Sequence, residues 1–218
     1  MNAVFNAAFY FYGGDGSMNK LTRSFYERST ELVAKELLGK ILVHESGGVK
    51  ISGKIAETEA YLGVADKAAH SFGGRKTNRV NVMYGAPGHS YVFMIYGMYY
   101  CFNVVTEKPG IPEAVLIRAL EPVEGLEEMS VNRFGKSYTT LSKREKLNLT
   151  NGPGKLCGAL AIDKALNGED LCGDRLYIED NNEKFNIITS TRIGIDYAQE
   201  AKEYLLRFYI DGNDYVSK

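Results

Sequence analysis

The segment Lys54-Ile-Ala-Glu57-Thr-Glu59-Ala-Tyr61-Leu-Gly63 carries two carboxylates two residues apart. On a β-strand, positions i and i+2 share a face, so Glu57, Glu59 and Tyr61 point the same way. Such a pair is costly unless one member is neutralised or exposed, and it fits either a general base or a solvated strand face; the segment by itself favours the latter. A second concentration lies at 84–102, where Tyr84, Tyr91, Phe93, Tyr96, Tyr99, Tyr100 and Phe102 place seven of the chain's 25 aromatics within 19 residues. One buried strand face accounts for Tyr91, Phe93 and Ile95. It does not account for Tyr96, beside Gly97 at a turn, where a large ring is exposed unless it inserts into something. Nucleobases stack on such rings at about 1–3 kcal/mol each. A third candidate is Gly152-Pro153-Gly154-Lys155. It lacks the spacing of a nucleotide-binding P-loop or of a G-x-G-x-x-G turn. A glycine turn opening a helix next to a lysine could still hold one phosphate, and a plain helix cap explains it equally well.

Charge narrows the partners. Lys+Arg is 26 and Asp+Glu 27, a net charge of −1, which excludes a globally basic nucleic-acid binder. The distribution is uneven. Residues 67–79 hold Lys67, Arg75, Lys76 and Arg79 and no acid, a charge of +4. Residues 130–155 hold Arg133, Lys136, Lys143, Arg144, Lys146 and Lys155 against Glu145, a charge of +5, which leaves −10 for the remainder. Sharing a face, the two segments would form a one-sided footprint for a polyanion; apart, they are solvated loops. Cys101, Cys157 and Cys172 form no C-x-x-C, which argues against a disulfide scaffold or a zinc ribbon and for reduced thiols in the cytoplasm. His44, His70 and His89 show no metal-ligand spacing.

The elements that must position these groups are mixed. With 218 residues, 44% hydrophobic and 24% charged, the chain suits one globular domain and excludes collagen-like, coiled-coil and disordered classes. Ser29 caps a helix over 29–38 that Gly39 stops. Residues 40–45 and 49–57 pair around Gly47-Gly48. The stretch 67–89 is a long loop. Residues 90–106 form a hairpin with its tip at 96–98, and 113–120 a further strand. Pro122 starts a helical stretch reaching about Asn132. Residues 130–151 are polar and loop-like with a short helix, 155–162 is helical, and strands lie near 175–179, 185–190 and 204–210. This order lacks the regular β-α-β alternation of a doubly wound sheet and indicates an α+β fold. Residues 1–17, with a short apolar run broken by Asn2 and Asn6, fit neither a signal peptide nor a membrane span, and are expected to be an extension outside a domain of 18–218.

Six ordered motifs then carry a resemblance: ETEAYLG at 57–63, AAHS at 68–71, GGR at 73–75, YVF-x-IYGMYYCFN at 91–103, VLIRALEP at 115–122 and GPGKLCGALAI at 152–162. From about Leu21 to Val216 the chain resembles the alkyladenine (3-methyladenine) DNA glycosylases of the human type. The resemblance implies a single mixed α+β domain around a curved antiparallel sheet with a protruding β-hairpin. It implies a monofunctional enzyme of base excision repair that flips alkylated or deaminated purines (3-methyladenine, hypoxanthine, ethenoadenine) out of double-stranded DNA and hydrolyses the N-glycosidic bond. Glu59 matches the general base, Arg118 the arginine that keeps it ionised, and Tyr96 the residue intercalating where the base has left. Tyr61 and His70 match residues that stack on and hydrogen-bond the extruded base. Asn103 matches the gate against guanine, and Leu116 a nearby pocket residue. Phe93 stands where the family has a second stacking tyrosine, so the π-face survives and the hydroxyl is lost. Lys155 is a candidate phosphate contact. Of the two carboxylates, Glu57 is expected to be the lesser. No metal or organic cofactor is implied, nor a membrane; a monomer acting in the cytoplasm is, on the nucleoid of a bacterium or in the nucleus of a eukaryote. Two rivals differ in their requirements. A non-catalytic damage-binding protein would not need Glu59 and Arg118 together. A nucleoside hydrolase would need neither Tyr96 nor the basic segments.

Overall fold

The computed structural model describes residues 20–217, so the expected extension at 1–17 lies outside the described residues. An antiparallel sheet of eight strands carries the fold: β1 (Ile41–Ser46), β2 (Val49–Tyr61), β3 (Ser90–Ile95), β4 (Tyr99–Thr106), β5 (Glu113–Glu124), β6 (Leu176–Glu179), β7 (Ile187–Ser190) and β8 (Arg207–Ile210). The order is β3-β4-β5-β2-β1-β6. The 13-residue β2 is the spine. One edge pairs with β5 throughout; on the other, β1 takes the first half and β8 takes Glu57–Glu59. This exchange of partners curls the sheet. The α+β expectation is met.

Among the described residues, five short α-helices cover the sheet: α1 (Arg23–Tyr26), α2 (Thr30–Glu36), α3 (Leu126–Phe134), α4 (Lys143–Leu147) and α5 (Pro153–Ala159). α2 forms within the stretch 29–38 expected to be helical. Val33 and Ala34 are fully buried, and the Thr58 hydroxyl donates to the Ala34 carbonyl at 2.8 Å. Because Thr58 faces α2, its neighbours Glu57 and Glu59 face the opposite side of the sheet.

One expectation needs correction, and one element was not foreseen. Pro122 does not open a helix. It lies inside β5, opposite Gly53, beyond the point where β4 stops pairing, so its missing N–H falls on a free edge; the helix begins at Leu126. The stretch before β8 also holds an irregular 3₁₀ segment, Asp196–Glu203, that local pattern did not reveal.

The β3–β4 hairpin runs from Ser90 opposite Val104 to Ile95 opposite Tyr99. At its tip Tyr96 and Gly97 both take positive φ, 52° and 70°, and the Met98 N–H donates to the Ile95 carbonyl at 3.2 Å. Glycine adopts this conformation freely, whereas a bulky aromatic there is strained by about 1–3 kcal/mol. Tyr96 is also 86% exposed. Strain and exposure in the same aromatic mark a residue held for something other than packing.

Candidate active site

Cross-strand register assembles the site. Tyr91 on β3 lies opposite Asn103 on β4, Asn103 opposite Leu116 on β5, Leu116 opposite Glu59 on β2, and Glu59 opposite Arg207 on β8. Directly opposed residues share a face, so residues from five strands converge on one concave surface. A cavity of about 550 Å³ opens there. The expected residues Tyr61, His70, Phe93, Tyr96, Asn103, Leu116 and Arg118 all line it.

Glu59 sits behind that lining with no exposed surface, as does Glu57, so the pair is not a solvated strand face. The two differ in their partners. Glu57 is saturated. Its Oε1 accepts from Arg118 Nε at 3.2 Å and Arg207 Nη1 at 2.9 Å, and its Oε2 from the Ser217 N–H at 2.8 Å and hydroxyl at 2.6 Å. Glu59 accepts the Ile193 N–H on Oε1 at 2.8 Å and the Tyr61 hydroxyl on Oε2 at 2.8 Å, with Arg118 Nη1 at 3.3 Å from Oε1. A carboxylate oxygen can accept two hydrogen bonds, so Oε2 keeps one acceptor position beyond the Tyr61 hydroxyl. Burial pushes the Glu59 carboxyl above its ordinary value; Arg118, the Ile193 N–H and the Tyr61 hydroxyl pull it down, and Glu57 pushes with burial. Arg118 therefore opposes the effect of burial, favouring the ionised form of Glu59. A raised pKa makes the stronger base.

Arg118 reaches both carboxylates because of a bulge. Ala119 pairs with Glu57 and Ile117 with Thr58, leaving Arg118 as an extra residue on β5.

The upper wall is aromatic. His70 Nδ1 lies 2.9 Å from the Tyr91 hydroxyl, and the His70 ring meets Phe93 edge-on at 4.6 Å. Burial, followed by the charges of Arg79 and Arg75, lowers the His70 pKa to about 4, so the ring is neutral at physiological pH. Arg79 lies over Phe93 at 4.9 Å. Asn103, itself 4% exposed, donates through Nδ2 to the Tyr91 carbonyl at 3.0 Å, which fixes its amide at the cavity wall.

Lys155 sits on α5, whose first residue, Pro153, lines the cavity. Its Nζ donates to Asn148 Oδ1 at 2.7 Å and Asn151 Oδ1 at 2.8 Å, so one of three N–H bonds remains for a phosphate. The first turn of α5 abuts the hairpin closely; a Cβ at Gly154 would lie 3.0 Å from the Tyr99 Cβ. Both basic segments thus reach the same cavity, through Arg79 and through Pro153. Among the described residues, Arg75, Lys76, Arg79, Lys143 and Arg144 have no carboxylate within ion-pair distance, whereas Lys67 pairs with Glu200 and Lys136 with Glu145.

Sequence reasoning missed the 191–197 segment, which supplies Ile193 and Tyr197 to the wall, and the Arg207 and Ser217 partners of Glu57. A backbone donor such as Ile193 leaves no trace in residue type. Arg192, a lone cation between Thr191 and Ile193, was the available signal.

The family model for methylpurine-DNA glycosylase matches residues 24–214. The chain belongs to the methylpurine-DNA glycosylase family. Relatives named "Putative 3-methyladenine DNA glycosylase" occur in Desulfitobacterium hafniense, 62% identical over 92% of this chain and 99% of the relative, and in Clostridium acetobutylicum, 59% identical over 91% and 97%. A third, from Clostridium novyi, is 58% identical over 92% of this chain and its whole length. These relatives are bacterial. As a member of the family the chain is a DNA glycosylase, a hydrolase of N-glycosyl bonds in base excision repair. Among the described residues, no helix is long and apolar enough to cross a membrane.

Proposed function

We propose that this glycosylase works as a monomer in the manner of the human-type enzymes and excises alkylated and deaminated purines, namely 3-methyladenine, hypoxanthine and ethenoadenine, from double-stranded DNA. Tyr96 wedges into the base stack where the damaged nucleotide has left. Tyr61 and Phe93 stack on the extruded base, His70 hydrogen-bonds it as a neutral imidazole, Leu116 bounds the pocket, and Asn103 opposes the exocyclic amine of guanine. A water held at Glu59 Oε2 attacks C1′ of the sugar. Its proton passes to Glu59, the C1′–N bond breaks, and the base leaves with the bonding electrons. Arg118 holds Glu59 in place. Lys155 and the unpaired basic residues contact phosphates. The bacterial relatives support a cytoplasmic, nucleoid-bound site of action.

The observation that carries this reading is a fully buried Glu59 held by Arg118 and Tyr61 directly behind the lining of an aromatic cavity, with a strained and exposed Tyr96 at the rim. Among the described residues no lysine lines the cavity, which supports hydrolysis by water over a lyase that forms a Schiff base. The test is single-turnover incubation with duplexes containing hypoxanthine or ethenoadenine. The expected product is an abasic site in a strand that breaks only on alkaline treatment, with no turnover of the free nucleosides. Strand cleavage without alkali, or equal activity on free nucleosides, overturns the reading.

A further inference from the structure

Behind the cavity lies an ion pair that the reaction above does not use. The Arg192 and Asp66 side chains are 0% and 1% exposed. Arg192 Nη2 donates to Asp66 Oδ1 at 2.9 Å while Nη1 takes Oδ2, a two-point pairing of guanidinium and carboxylate. Arg192 also donates to the carbonyls of Ala60 at 3.0 Å and Ala201 at 3.1 Å. Asp66 accepts the backbone N–H groups of Leu62 and Ala68, each at 3.0 Å. The pair therefore ties the end of β2, the loop leading to His70 and the 191–201 segment into one block. A buried ion pair is weak support for stability as such, since apolar replacements of similar volume are often as stable, and the Arg192 Nε finds no partner among the described residues. What the pair does supply is position.

Two of the three donors that hold Glu59 rest on Arg192. Ile193, whose N–H reaches Glu59 Oε1, is the next residue in the chain. The Tyr61 ring, whose hydroxyl reaches Oε2, lies 4.8 Å from the Arg192 guanidinium carbon. We infer that Arg192, clamped by Asp66, is a positioning residue for the general base: it aims the Ile193 amide and the Tyr61 hydroxyl at Glu59 and so sets the pH range over which the base works. The inference rests on the assignment of Glu59 as base. The other titratable or charged groups around Glu59 are Glu57, Arg118, Cys101, Tyr197 and Arg207, and none of them contacts the clamp through a hydrogen bond or ion pair among the described residues.

The test is the pH profile of single-turnover excision of ethenoadenine from duplex DNA, for the parent, Asp66→Asn and Arg192→Lys, with damaged-duplex affinity and thermal melting measured alongside. Loosening either donor destabilises the ionised base, so the acid limb should move up by about one pH unit while duplex affinity stays within a few-fold. Tyr61→Phe, which removes one of the donors directly, should move the limb in the same direction. A clamp that only supports the fold would lower the active fraction and the melting temperature without moving the midpoint. Should Asp66→Asn fail to fold, Arg192→Lys, which keeps a cation opposite Asp66, reads the same shift. An unmoved midpoint in the folded variants overturns the inference. If instead Glu59→Gln excises as the parent does, the assignment of the base has failed, whatever the midpoints show.

Discussion

Glu59→Gln separates chemistry from folding at one position. The amide oxygen can keep the Ile193 N–H and the contact with Arg118, while the amide nitrogen faces the Tyr61 hydroxyl, which can accept as well as donate. Shape and packing are preserved and the proton acceptor is lost. A positioned general base contributes roughly 10²–10⁴-fold, about 3–5 kcal/mol of transition-state stabilisation. Single-turnover excision should fall by that factor with damaged-duplex affinity retained. Stability should move the other way. Because the folded-state pKa of Glu59 is raised, its contribution to stability is fully present below the unfolded pKa and is lost as pH rises through the folded value. At neutral pH the ionised side chain is a net cost, about 1.4 kcal/mol for every tenfold by which folding weakens the acid. The neutral variant should therefore melt at or above the parent temperature at pH 7.5, with the gap closing as pH falls through the raised folded value of Glu59 and gone below the ordinary carboxyl range of about 4. Excision within tenfold of the parent would refute the assignment of the base. Marked destabilisation at pH 7.5 would refute the argument that burial outweighs the three donors.

Glu57→Gln should show the opposite pattern: it leaves Arg207 and Arg118 without their shared anion, and loss of one partner from such a buried network costs about 3–5 kcal/mol, readable as a lowered denaturation midpoint. On this expectation Glu57 is the lesser of the pair for chemistry and the greater for stability. Tyr96→Gly relieves the strained turn, so it should melt no lower than the parent, yet excision should fall most for lesions in stable pairs, with ethenoadenine fluorescence reporting less flipping; parent-like excision of every lesion would refute the wedge. His70→Gln should lower the rate without moving the acid limb, because a ring with a pKa lowered to about 4 does not titrate near neutrality; loss of the limb would assign it to His70. Charge reversal at Arg75 or Lys76 should lower the log–log salt slope of DNA binding by about 0.9 for each phosphate the protein no longer neutralises, and a salt-independent affinity would show those residues to be merely solvated.

What the sequence made legible was local. The β1–β2 and β3–β4 hairpins announced themselves through glycine turns and apolar alternation, and the aromatic at the second tip stood out because its position contradicted packing. The carboxylates were harder. Read in its own strand, Glu57-Thr58-Glu59 looks like a solvated face, and it is buried only because Ile193, Arg207 and Ser217 arrive from 134, 150 and 160 residues away. Register was harder still. Alternation along Val115–Leu120 puts Leu116 and Arg118 on one face, as the structure has them, but it gives no sign of the irregularity that leaves Arg118 unpaired between Ile117 and Ala119. That one extra residue determines the site's electrostatics. In an unbroken ladder, a residue at 118 would stand opposite a single partner. As a bulge, Arg118 lies between both carboxylates, with Nε toward Glu57 and Nη1 toward Glu59. Glu57, saturated by Arg207 and Ser217 as well, shares the cation with Glu59 and adds its own negative charge nearby. That charge acts with burial to raise the pKa of Glu59, so that on the proposed mechanism the carboxylate without a chemical role helps to make its neighbour a stronger base.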